Sequence, residues 1–277
     1  MTFKPLINHG DVLSNKELCE IFKCAPQGGM RKSNTTNTLV IVSDHTKSLY
    51  EDRWQGNIFH YTGMGQVGNQ LISFAQNKTL DESNKTKISV FLFEVFESGK
   101  YVFQGHVKLI DKPYKEKQQD KNKSIRSVWI FPLKLIGDST VPSLPEETFN
   151  KKNKEREKKA KKTSDDDLIK RLEYSPTNPG TRAVLSKQFE RNQDVVEFVK
   201  RRAKGICQLC GSKAPFINKN GEPFLEVHHI EWLSEGGEDS IENAVALCPN
   251  CHRKIHILNL ESDKEFLRKT CQSCSNR

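Results

Sequence analysis

Gly205-Ile-Cys-Gln-Leu-Cys-Gly211, Leu225-Glu-Val-His-His-Ile-Glu-Trp-Leu-Ser-Glu-Gly-Gly237 and Asn243-Ala-Val-Ala-Leu-Cys-Pro-Asn-Cys-His-Arg-Lys-Ile-His256 are three pieces of one constellation. Cys207 and Cys210 form one C-x-x-C knuckle, and Cys248 and Cys251 a second. Two knuckles supply four thiolates, the set that a tetrahedral zinc takes. Four thiolates leave no open position for water, so this zinc is expected to be structural. A short module has a thin core, and a metal staple compensates for it. The competing possibility is a group of buried, unliganded thiols.

Between the knuckles lies His228-His229. Neighbouring side chains of an extended strand point to opposite faces. One imidazole can then ligate a metal while the other faces substrate. His252 opens a predicted helix directly after the second knuckle, and His256 follows one turn later on the same face. The order strand, loop, helix is the one needed to bring His228 and His252 together. A neutral imidazole of pKa about 6.5 can deprotonate water near neutral pH. The competing pattern is a zinc ribbon whose histidines are structural or redundant ligands.

From about Arg201 to Ile257 the chain resembles the HNH (ββα-metal) nucleases. The resemblance implies His228 as ligand of a catalytic divalent cation and His229 as general base. It makes His252 the second ligand, with His256 as a possible third. Asn243 becomes the loop-fixing residue that holds the base in position, Glu226 a support behind the ligands, and Gly236-Gly237 the turn between strand and helix. Mg²⁺ is the expected ion, although imidazoles also suit Mn²⁺, Ni²⁺ or Zn²⁺. A third C-x-x-C, Cys271 and Cys274, has no second pair and is expected to be surface thiols or a poorly specified tail rather than another metal site.

Upstream of the knuckles a helix is expected over about Thr181 to Ala203, with apolar Val184, Leu185, Phe189, Val195, Val196 and Val199. A shorter helix capped by Ser164 precedes it, with Asp165, Asp166 and Asp167 at its positive end, and Pro176 and Pro179 break it. From Lys151 to Lys162, lysine and arginine dominate and no apolar periodicity appears. That predicts an exposed basic linker or a frayed charged helix, more a solvated spacer than a DNA-binding arm.

The front of the chain is different. Thr38–Ser43, Ile88–Phe96, Tyr101–Val107 and Val128–Phe131 are rich in β-branched and aromatic residues, separated by Gly, Asn, Asp and Lys. This is the pattern of a mainly β domain. Ser14 with Glu17 marks the start of a helix reaching Phe22. The segment Tyr50 to Gln70 combines four glycines with Tyr50, Trp54, Phe59 and Tyr61. Composition alone favours a glycine-rich turn with core aromatics. The same parts can also hold a base turned out of a duplex, rings sandwiching it and Asp52 accepting from the exocyclic amine of cytosine.

Gly56-Asn-Ile-Phe-His-Tyr-Thr-Gly-Met-Gly65 resembles the motif of SRA (SET- and RING-associated) domains, which flip 5-methylcytosine. The resemblance runs from about Phe3 to Leu135. It implies an SRA/PUA-like β-barrel in which Asp52 reads the cytosine edge and Tyr50 and Tyr61 stack. Gly68-Asn-Gln70 stands where the bacterial branch carries Gly-Asp-Gln.

The expected organisation is therefore α+β: an SRA-like domain over 1–140, a charged linker over 141–165, and a helical lead-in with the HNH domain over 166–277. An SRA-like reader followed by an HNH nuclease resembles the modification-dependent (type IV) restriction endonucleases, which act in defence against foreign DNA. The expected partner is double-stranded DNA carrying 5-methyl- or 5-hydroxymethylcytosine, with a homodimer possible because a double-strand break needs two cuts. The alternatives are an HNH nuclease indifferent to modification, and a zinc-bearing modified-DNA binding protein without catalysis. A net charge of +9 suits a polyanionic partner. No apolar run approaches the ~20 residues of a membrane helix. Met1-Thr-Phe-Lys-Pro5 lacks the apolar stretch of a signal peptide, so a cytoplasmic location in a bacterial-type cell is expected.

Overall fold

The computed structural model describes residues 3–47, 49–137, 143–175, 177 and 179–275, with side chains as far as 271. The chain divides into two units, Met1–Ser186 and Lys187–Arg277.

In the first unit β1 (Val12–Leu13) leads into α1 (Asn15–Phe22). The cap is the one the Ser-x-x-Glu spacing predicts: the Glu17 amide donates to Ser14 Oγ at 3.3 Å and the Ser14 amide to the Glu17 carboxylate at 2.8 Å. There follow β2 (Met30–Ser33), β3 (Thr38–Asp44), β4 (Arg53–Gln55), β5 (Ile58–Thr62), α2 (Gln76–Asp81), α3 (Ser83–Thr86), β6 (Ser89–Glu97), β7 (Lys100–Leu109), β8 (Tyr114–Gln119) and β9 (Ile125–Leu135). They form one nine-stranded sheet in the order β2-β3-β6-β7-β9-β5-β4, with β1 on β7 and β8 on β9.

The parallel pair β3 and β6 explains the unbroken apolar runs, because both of its faces are covered. Leu39, Ile41, Val90 and Leu92 enter one core with Phe59, Tyr61 and Phe131. Val40, Val42, Phe91 and Phe93 enter a second core beneath Leu18 and Phe22 of α1. The sheet curls until its far ends meet through a side chain: the Tyr61 hydroxyl on β5 donates to the Gly29 carbonyl just before β2, at 2.8 Å. Gly105 sits at the β6–β7 irregularity with φ +123°, where a Cβ would press on Leu135.

The expected linker is built into this unit. Lys151 to Lys162 lie in or cap α4 (Glu146–Lys161), which begins after β10 (Leu144–Pro145) and precedes α5 (Asp165–Leu172). Acids in the first turn, bases in the last, and the pairs Lys158–Glu155 and Lys161–Glu157 favour the helix. The long helix expected from Thr181 is shorter than its apolar residues suggested. Val184–Leu185 form β11, pairing parallel with β10, and the helix proper, α6, covers Gln193–Ala203 with Asn192 as N-cap. α5 ends at Leu172, and Pro176 lies outside the described residues.

What draws residues 181–185 back to the sheet is a buried ionic knot. Arg182 Nη1 meets Glu94 at 2.7 Å, His45 Nε2 meets it at 2.7 Å, and Trp54 Nε1 donates to it at 3.3 Å. Arg182 also stands over the rings of Trp54 and Phe96. Burial pushes the Glu94 carboxyl upward, but the hydrogen bond from His45 and the charges of His45 and Arg182 outweigh it and hold the pKa at about 2. The first compact unit runs on to Ser186.

The second unit packs α6 on the antiparallel pair β12 (Glu226–His229) and β13 (Ala244–Leu247), with α7 (Pro249–Leu258) and α8 (Glu261–Ser275). Val195, Val199 and Ala203, spaced four apart on α6, join Val227, Ile230, Ala244–Leu247, Ile255 and Leu267. Cys271 belongs to this core at 2% exposure, so the expectation of a surface thiol is corrected. α8 brings it against Ala244, where an apolar thiol fills space well. The Cys274 side chain lies outside the described residues.

Candidate metal centres and base pocket

The first knuckle turns through Gly211, whose amide donates to the Cys207 carbonyl at 2.9 Å. The second starts α7, with Cys248 as N-cap and Pro249 in the first turn. The sulfurs of Cys207, Cys210, Cys248 and Cys251 all lie within 4.8 Å of one another, a spacing that suits Zn–S bonds of about 2.3 Å. Burial pushes the Cys248 and Cys251 thiols up, while the Ser212 hydroxyl and amide pull Cys210 down to about 6. Four sulfurs this close are costly as bare thiolates, and a dication resolves that cost.

A second cluster forms where β12 passes α7. The ring nitrogens of His228, His252 and His256 lie within 4.8 Å of one another. His256 Nε2 and His252 Nε2 face each other at 3.0 Å. His252 Nδ1 is taken by Glu226 at 2.5 Å, which turns its Nε2 toward the cluster. His228 is 2% exposed, and its buried Nε2 has no hydrogen-bond partner. Burial, then the charges of His252 and His256, drop its pKa to about 3 and keep the ring in its ligating, neutral form. The donor set fits a divalent cation: three convergent imidazoles, one with an orphaned nitrogen.

His229 stands outside the cluster, as strand alternation requires. Its Nε2 meets Asp239 Oδ1 at 2.8 Å, and Asp239 also accepts the Asn192 amide at 2.6 Å. Asn243 does not touch His229. Its side chain accepts from the Glu231 amide and donates to the carbonyls of Glu231 and Glu238, fixing the loop that carries Asp239. A Cβ at Gly237 would fall on the Glu231 carbonyl oxygen. Sequence reasoning missed Asp239; the available signal was a carboxylate between the glycine pair and Asn243.

In the first unit the quoted motif lines a cavity of about 570 Å³. Tyr50, Tyr61, Thr62, Met64 and Gly65 border it, together with Arg31, Asp44 and Lys47. Tyr50 donates its hydroxyl to the Gly65 carbonyl at 3.2 Å, and Arg126 stands over its ring. Tyr50 and Tyr61 are thus brought to one cavity. Asp52 is placed behind the wall: 6% exposed, it accepts the Thr62 amide at 2.7 Å and is not part of the lining. Burial raises its pKa. The loop over residues 63–70 is held by Gln70, which donates to the Gly63 carbonyl at 2.6 Å and accepts from Trp129, and by Asn69, which accepts from Ser127. Asn77 holds Met64 through both its amide and its carbonyl. No helix among the described residues is long and apolar enough to cross a membrane.

A nine-stranded mixed sheet with an aromatic cavity, followed by a ββα unit with paired knuckles and a histidine cluster, defines an SRA domain joined to an HNH endonuclease domain. Residues 9–161 match the family model for the ScoMcrA-like SRA domain, and residues 207–257 match that for HNH endonuclease. The chain belongs to the ScoMcrA-like SRA domain family, which accounts for more than half of its length. It is 50% identical over 72 residues to the type IV methyl-directed restriction enzyme EcoKMcrA of Escherichia coli (strain K12). That match covers 26% of this chain and 26% of the relative, so the chain spans about a quarter of that enzyme's length. Among solved structures it is similar to the type IV phosphorothioation-dependent restriction endonuclease ScoMcrA, with 18% identity, coverage of 97% of this chain and 63% of that one, and a TM-score of 0.40. It is also similar to the modification-dependent TagI restriction endonuclease, with 19% identity, coverage of 92% and 79%, and a TM-score of 0.39.

Proposed function

We propose that the chain is a DNA endonuclease that takes up a modified cytosine in its first unit and hydrolyses a nearby phosphodiester with its second. The observation that carries the nuclease half is the buried, unpartnered Nε2 of His228 converging with His252 and His256, beside a His229 already held by a carboxylate. A divalent cation bound by these three rings supplies charge stabilisation at the phosphate and the leaving 3′-oxygen. His229 acts as general base. Asp239 accepts its Nε2–H, which leaves Nδ1 to take a proton from the attacking water. Asn243 keeps the Asp239 loop in place. The four cysteines hold a structural zinc.

In the first unit Tyr50 and Tyr61 flank the extruded base. Asp52 stands behind the cavity wall, not in reach of the base as the SRA resemblance implies, and by holding the Thr62 amide it fixes the strand that carries Tyr61. Double-stranded DNA carrying 5-methyl- or 5-hydroxymethylcytosine is the substrate, in defence against foreign DNA. Two copies acting on opposite strands make a double-strand break.

Digestion of matched duplexes bearing cytosine, 5-methylcytosine or 5-hydroxymethylcytosine, with end mapping, tests both halves. Cutting confined to modified DNA is expected, and His229→Ala should lower kcat roughly 10²–10⁴-fold. Equal cutting of all three duplexes overturns the base-reading half. No metal-dependent cutting by the unaltered chain overturns the nuclease half.

A further inference from the structure

Helices α4 and α5 form one wall of a groove of about 990 Å³ within the first unit. Lys159, Lys162 and Arg171 face it from this side, and Lys117, Lys121 and Lys123 from the β8–β9 hairpin opposite. We propose that this groove is a nucleic-acid contact separate from the base cavity, holding the phosphates of a DNA strand between two lysine-bearing walls. The proposal rests on the first unit being a DNA binder.

The lysines of α4 are sorted by their partners. Lys158 and Lys161 are paired with Glu155 and Glu157. Lys159 and Lys162, three apart and therefore on one face, make no ion pair among the described residues, and neither do Lys117 and Lys121. The acids that border the groove leave Lys117, Lys121, Lys159 and Lys162 without an ion pair among the described residues. Asp120 accepts the amides of Gly68, Asn122 and Ser124 in the hairpin turn. Asp167 faces Lys123 at 3.7 Å. Glu51 has its carboxyl pushed up by burial.

Unpaired cations facing one another across a gap repel, and a polyanion between them removes the repulsion. The walls are fixed rather than collapsed, because Arg171 Nε donates to Gln119 at 2.7 Å. The groove also runs into the base cavity: Lys47, Leu49 and Gln66 border both. A strand whose base enters the cavity can therefore continue along the lysines. An acidic peptide would satisfy the charge but not that continuity.

Salt dependence of binding decides the matter, measured on the full chain without added divalent cation, with a labelled duplex in modified and unmodified forms. Each phosphate neutralised contributes roughly 0.9 to the slope of log K against log salt on duplex DNA. Lys159→Ala/Lys162→Ala should flatten that slope by about 1.8 on both duplexes and leave the ratio of the two affinities unchanged. Lys158→Ala/Lys161→Ala, which removes lysines already paired with Glu155 and Glu157 and not bordering the groove, should leave the slope as it was. Alanine favours the helix, so both double variants retain α4. Equal flattening by the two double variants, or none by the first, overturns the groove. Failure of the base-reading half has a different signature: the unaltered chain would bind both duplexes alike, while the slope comparison would still decide the groove.

Discussion

Glu94 in the first unit and His228 in the second are buried to a similar depth and surrounded in opposite ways. The Glu94 carboxylate is met by His45, Arg182 and Trp54. The His228 Nε2 meets nothing and points at two other imidazoles. Burying a charge costs several kcal/mol unless partners compensate, so a fully partnered one acts as a strut. An orphaned buried nitrogen persists where another species completes it. The contrast separates a buried group that is fully partnered from one left open to a ligand, without reference to residue type.

The contrast can be broken most severely at the four-cysteine cluster, the proposed zinc site. Structural zinc contributes an apparent ~10–16 kcal/mol in small modules. Cys251→Ala should therefore unfold residues 187–275, and limited proteolysis should degrade them while the first unit survives. Simultaneous loss of both units would show that the two are not separately held.

The strut comes next. Glu94→Gln leaves Arg182 buried beside a neutral partner and should cost about 3–5 kcal/mol in denaturant unfolding of the first unit. The sign of its pH dependence follows from a folded pKa of about 2 against the ordinary value of 4.5. The stabilisation is complete above the unfolded value and is lost as pH falls through the interval toward 2. The variant should lack that part of the acid transition. An unchanged acid limb would remove Glu94 as a strut.

The smallest of the three effects falls at Asp239, which touches His229, the proposed general base, and not the His228/His252/His256 cluster. Asp239→Ala should lower the cleavage rate roughly 10–100-fold while divalent-cation affinity stays the same. A parallel fall in cation affinity would place Asp239 with the ligands instead.

Most of the metal chemistry is written locally. Both knuckles, the adjacent histidines and the His252/His256 pair depend on spacing within one strand or one helical turn. α1 was equally plain, since its capping box spans four residues. The misses have a common cause. The Glu94–Arg182 knot joins residues far apart in the chain, so Val184–Leu185 read as helix when tertiary pairing makes them a short strand. The charged face of α4 has no apolar signature, because its wall is defined by lysines across a gap. Cys271 looked like a surface thiol until α8 folded back onto Ala244. The position of Asp52 behind Thr62, rather than in the cavity lining, depends on how a strand turns at a single amide.

Gly237 narrows the paths open to descendants of this chain. Its loop closes so tightly over Glu231 that any side chain there displaces the strand-to-strand turn, and with it the Asp239 carboxylate that holds His229. An inactive lineage can therefore keep every histidine, cysteine and acid in place and differ at that one codon, so an inventory of functional groups would still score it as intact.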